Sequence, residues 1–124
     1  MKFYYKEKLI RTSKTHEYKY AVINIKTGKC VTCSAKREGC EAYIRTAIND
    51  YMIKVQNSRN LLAALERGAD HFDSTFKGKT YRTKIDKSYS FHTAAAAEEN
   101  IQETLATIDH IKNNWLLVEL EAKA

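Results

Sequence analysis

The stretch AVINIKTGKCVTC, Ala21 to Cys33, decides how the first half of the chain folds. Its apolar residues alternate, which puts Ala21, Ile23 and Ile25 on one face of a strand and Tyr20, Val22 and Asn24 on the other. Gly28 marks a turn. A two-residue turn at Thr27-Gly28 would set Ile25 beside Cys30 and Ile23 beside Thr32, leaving the core face half polar. A three-residue loop of Lys26, Thr27 and Gly28, with Gly28 left-handed, sets Ile23 beside Val31 and Ala21 beside Cys33. Apolar then meets apolar, so this second register is the one expected.

The same register settles the cysteines. Cys30 and Cys33 lie three apart on one strand and are expected to point to opposite faces. A zinc knuckle needs a tight turn between its thiols and four good ligands. Cys40 has no second Cys-x-x-Cys or paired histidine to join it, so no metal site is expected. Cys33 reads as a small core residue. Cys40, near a helix start beside Lys36 and Arg37, is expected to have a lowered thiol pKa. An odd, small number of cysteines suits a reducing compartment.

Working outward, residues 2–12 read as one strand, although Leu9 and Ile10 break its alternation. Ser34 is a plausible cap for a long helix at about 36–67. In that helix Ile44, Ala47, Ile48, Tyr51, Val55, Leu62 and Leu65 keep helical spacing, and the polar QNSRN run marks a kink or break. Gly68 ends the helix, and GADHFDSTFKGK follows as a loop. The run from Lys79 to Asp109 then reads as strand, tight turn, strand, helix, with Ile85 and Phe91 in the two strands. A shift of sixty positions lays it on the first hairpin and helix, which suggests an internal duplication of about 18–50 in about 78–110. The second helix, at about 94–113, buries Ile101, Leu105, Ile108 and Ile111. From Trp115 both a last strand and a continuation of the helix fit the spacing, with strand preferred because Asn113-Asn114 can stop a helix. The fold class is α+β: one domain over residues 1–124, an antiparallel sheet from two hairpin–helix (β-β-α) units packed against the two helices.

The net charge of +6 is uneven. Residues 1–38 carry ten basic side chains against three acidic ones, while residues 93–124 carry two against six. A basic sheet attracts polyanions or an acidic protein face. Lysines and tyrosines interleave along the first strands, where lysine neutralises phosphate and tyrosine stacks on a base or fills an interface. The candidate binding residues are therefore Lys2, Tyr4, Lys6, Lys8, Tyr18, Lys19, Tyr20, Asn24, Lys26 and Thr32.

Few catalytic patterns appear. KGKT resembles the end of a phosphate loop, but Asp73 stands where the leading glycine belongs. There is no Gly-x-Ser-x-Gly elbow, and His16, His71, His92 and His110 are dispersed. Asp70, His71 and Asp73 form the one local cluster that suggests hydrolytic or metal chemistry. No catalytic residue and no cofactor is assigned. No apolar run approaches the ~18 residues that span a bilayer, and MKFYYKEKLIR scatters charge where a secretory leader would be apolar. A cytoplasmic, non-membrane protein is expected.

The run YKYAVINIKTGKCVTCSAKREGCEAYIRTA, as strand, turn, strand, helix, resembles in layout the three-stranded DNA-binding domains of plant ethylene-response factors and the arm-binding domains of tyrosine integrases. That resemblance implies a sheet whose outer face enters the major groove, with Tyr18, Tyr20, Val22, Asn24, Lys26 and Thr32 at the groove. The face has few arginines and no tryptophan. The leading expectation is a small non-catalytic protein binding nucleic acid. The alternative is a protein-interaction module, such as an inhibitor, adaptor or accessory subunit of the kind phages and mobile elements encode. It would use the same face on an acidic partner, or the long helix in a homo-oligomer. An enzyme using Asp70, His71 and Asp73, or Cys40, is third.

Overall fold

Strand β3 (Tyr20–Asn24) pairs antiparallel with β4 (Cys30–Ser34) in the computed structural model, which describes residues 1–124. Gly28 is left-handed, with φ +76°, as the loop chemistry requires. Its amide donates to the Asn24 carbonyl at 2.7 Å, and the Asn24 amide donates to the Lys29 carbonyl at 2.9 Å. The Asn24 side-chain oxygen accepts from the amides of Lys26 and Thr27, holding the loop from inside.

The register is half as expected. Ala21 faces Cys33, but Ile23 faces Cys30 and not Val31. The loop is one residue longer than predicted, and a β-bulge near Val31 takes up the difference. Strand β7 (Trp115–Glu119) pairs along the other edge of β3, so the sheet order is β4-β3-β7. The strand reading of this tail is correct.

The segment 2–12 is not one strand. It is a hairpin of β1 (Lys2–Tyr5) and β2 (Lys8–Thr12), joined by Lys6 and Glu7, which both have positive φ. The register slips between Phe3 and Tyr4, leaving Ile10 as an unpaired bulge and explaining the broken alternation. Strand β8 (Glu121–Lys123) completes a second sheet, ordered β2-β1-β8.

Helix α1 (Arg37–Glu66) begins just after the Ser34 hydroxyl accepts the Lys36 amide at 3.2 Å. It ends as predicted at Gly68, φ +71°, where the Gly68 and Ala69 amides return to the carbonyls of Leu65 and Ala64. QNSRN does not break it: the helix runs unbroken through these residues. Those polar residues instead dock a strand: Asn57 exchanges hydrogen bonds of 2.9 and 2.8 Å with the backbone of Thr75, and Asn60 donates to the Asp73 carbonyl. GADHFDSTFKGK is therefore not a loop. It contains β5 (His71–Phe76) and, through the left-handed pair Lys77-Gly78, enters β6 (Lys79–Lys84). Residues 86–93 form turns held by Asp86, Ser88 and His92, so the second hairpin lies earlier than predicted and the sixty-residue correspondence fails there. Helix α2 (Ala94–Asn114) follows, with the Thr93 hydroxyl accepting the Ala96 amide.

The chain resolves into two compact units, residues Met1–Ala47 with His110–Ala124, and residues Ile48–Asp109. In the first, Ala21, Ile23 and Val118 form a buried cluster with Tyr5, Ile10, Cys30, Cys33 and Leu120 packed on it. In the second, Leu61, Ala64, Phe72, Ile85 and Ala97 form one cluster and Val55, Ile101 and Ile108 another. Ile101, Ile108 and Ile111 are buried as the α2 spacing predicts, with Leu105 partly so.

Candidate nucleic-acid interface

The aliphatic face of β3 is buried, but so is the opposite face. Val22 is 0% exposed. Asn24 donates through Nδ2 to Nε2 of His110 at 3.1 Å, and Trp115, opposite Asn24 in register, lies against Tyr43 of α1 with ring centroids 6.1 Å apart. This side of the sheet faces helix, not solvent. The groove face implied by the resemblance is thus corrected: Val22 and Asn24 are covered by the chain itself, and Tyr20 and Thr32 on the same face are half-buried. Tyr18 is also engaged, edge-on to Phe3 at 5.8 Å and beneath the Arg11 guanidinium at 4.7 Å.

The remaining candidates, Lys2, Lys6, Lys8, Lys19 and Lys26, are exposed, and Tyr4 is half-buried under the Lys123 ammonium at 5.0 Å. Lys19 pairs loosely with Glu17 at 3.9 Å. The structure brings together a subset. Lys8 Nζ donates to the Gly28 carbonyl at 2.6 Å, so the β1–β2 turn and the β3–β4 loop meet. Lys6 and Lys8 belong to the first of these segments, and Lys26 and Lys29 to the second. None of the four has a carboxylate within ion-pair distance. Lys29 escaped the sequence reading because the meeting of its loop with Lys8 depends on a contact between Lys8 and Gly28, twenty residues apart in sequence.

The charge follows the same division. The first unit holds thirteen basic and six acidic side chains, and the second eight and nine, so the whole positive excess belongs to the first. Lys6 on the β1–β2 turn and Lys26 and Lys29 on the β3–β4 loop supply point charges that suit phosphate, while Lys8 is held on the Gly28 carbonyl between them.

The cysteines also depart from expectation. The bulge near Val31 turns Cys30 and Cys33 to one face, with their sulfurs 3.4 Å apart. Burial, then the Cys33 contact, pushes the Cys30 thiol up to about 12. Burial also pushes the Cys40 thiol up, overturning the lowered value predicted from Lys36 and Arg37. Asp70, His71 and Asp73 are not a loop cluster: His71 and Asp73 belong to β5, and Asp73 pairs in register with Arg82. Asp70 accepts from His71 Nδ1 at 2.8 Å, which lowers its carboxyl pKa.

Among known proteins, no family model, no curated protein and no solved structure matches the chain. No helix is long and apolar enough to cross a membrane.

Proposed function

We propose that the chain is a small non-catalytic binding protein that engages the phosphate backbone of nucleic acid at the joined hairpin tips of its first unit. The observation that carries this reading is the 2.6 Å contact of Lys8 with the Gly28 carbonyl, which joins the turn bearing Lys6 to the loop bearing Lys26 and Lys29, none of them ion-paired to a carboxylate. Contacts of this kind set position and affinity and do not read bases. Binding is therefore sequence-tolerant and salt-dependent. The proposed interface keeps Lys6, Lys8 and Lys26 and gains Lys29, while Tyr18, Tyr20, Asn24 and Thr32 serve the fold.

Fluorescence anisotropy with a labelled oligonucleotide tests it. The triple variant Lys6→Glu, Lys26→Glu and Lys29→Glu should lose binding while keeping its circular dichroism. A variant that binds as wild type does sinks the proposal.

A second reading rests on the other unit. Phe76 is 62% exposed, Met52 and Ile53 are exposed on α1, and a cavity of about 530 Å³ is lined by Ile53, Asn57 and Phe76. Apolar exposure of this sort marks protein interfaces. Light scattering and pull-down separate the two readings: a monomer that retains nucleic acid and retrieves no protein favours the first.

A further inference from the structure

The bulge in β4 creates a feature that regular strand geometry forbids. In an unbroken strand, residues three apart point to opposite faces. Here Cys33 pairs with Ala21 and Cys30 with Ile23, two residues of β3 that share a face, so the two sulfurs share it as well. They stand 3.4 Å apart, against ~2.05 Å for a disulfide bond. Both cysteines are half-buried, and β4 is an edge strand of its sheet. Cys40 is fully buried.

We propose that Cys30 and Cys33 form a redox-active dithiol that closes to an intrastrand disulfide by exchange with a small anionic disulfide of the glutathione class. Cys33 is the attacking residue, since the Cys30 thiol is held protonated chiefly by burial and then by its contact with Cys33. The Cys33 thiolate attacks one sulfur of the small disulfide, forming a mixed disulfide and expelling one small thiolate. Cys30 then attacks the Cys33 sulfur, its proton passing to the second departing thiolate. One small disulfide is reduced to two small thiols, and the two protein thiols are oxidised to one disulfide. Closure draws the sulfurs together by roughly 1.4 Å, the gap between 3.4 Å and the ~2.05 Å bond, which tightens the existing bulge. Excess small thiol reverses it.

The test is equilibration of the full chain with oxidised glutathione, acid quench, alkylation under denaturing conditions, and mass analysis of the intact protein and its peptides. The expected product has lost two hydrogens, carries the alkyl label on Cys40 alone, and regains three labels after reduced glutathione is added. Cys33→Ser should resist modification at Cys30. Cys30→Ser should stop at a glutathione adduct on Cys33. Cys40→Ser should close like wild type. The proposal fails if wild type ends unmodified, as stable glutathione adducts, as a disulfide that includes Cys40, or as a covalent dimer. The peptide map of wild type decides this even if a variant does not fold.

Discussion

Asn24 Nδ2 lies 3.1 Å from His110 Nε2, joining the central strand of the first unit to the end of α2. The Asn24 oxygen is committed to the Lys26 and Thr27 amides, so its nitrogen is the group that faces the histidine, and Nε2 must offer its lone pair. One side chain thus shapes the basic loop and anchors it to helix. Asn24→Ala should cost about 1–3 kcal/mol, the usual penalty for breaking partly buried hydrogen bonds. A double-mutant cycle with His110→Ala in urea unfolding should show coupling above about 0.5 kcal/mol. Strict additivity would mean the contact is idle.

Val22 tests which way the sheet faces. With no exposed surface, Val22→Ala should lose about 2 kcal/mol from two methyl groups and the cavity they leave. A sheet whose outer face met nucleic acid would barely register the change in stability. Chemical denaturation of the variant separates these arrangements.

The β1–β2 turn holds Lys6 at φ 47° and Glu7 at φ 67°, a left-handed pair with no glycine. The β5–β6 turn has the same form but places Gly78 second, at φ 76°. Glu7→Gly should therefore stabilise the protein by about 0.5–1 kcal/mol, since glycine adopts this conformation freely. An unchanged or lowered unfolding midpoint would show that the turn is not strained.

That contrast also explains what the sequence revealed. Both helices, the Gly68 stop, the left-handed Gly28 and the Trp115 strand carry local chemical signals, and each appears as read. The first hairpin was hidden because Lys6-Glu7 has none of the residues that announce a tight turn. The second lies earlier than the alternation after Gly78 suggests, because its two strands flank Lys77-Gly78. Asn57 and Asn60 looked like a helix break, yet their partners are backbone groups of β5, which helical periodicity cannot reveal. For the site, lysine identity was legible, but the β4 bulge and the meeting of two loops at Gly28 were not. Each depends on pairing between segments.

The Cys30 thiol sets an alkaline limit. Its pKa is raised from the ordinary 9.0 to about 12, chiefly by burial and then by Cys33. A raised pKa means that the fold favours the protonated thiol. The resulting stability is present below pH 9 and is lost as pH rises through about 12. Between pH 8.5 and 10.5, the urea midpoint of reduced wild type should fall further than that of Cys30→Ser. Equal falls would show that this thiol does not couple to folding.

The most direct measurement is the salt dependence of oligonucleotide affinity. For duplex DNA, each phosphate neutralised contributes a slope of about −0.9 in log affinity against log salt. Neutralising Lys6, Lys26 and Lys29 to glutamine should flatten that slope by roughly 2.7, with little dependence on base sequence. A slope that is already flat in wild type, or one that the three substitutions leave unchanged, would contradict binding at the joined hairpin tips.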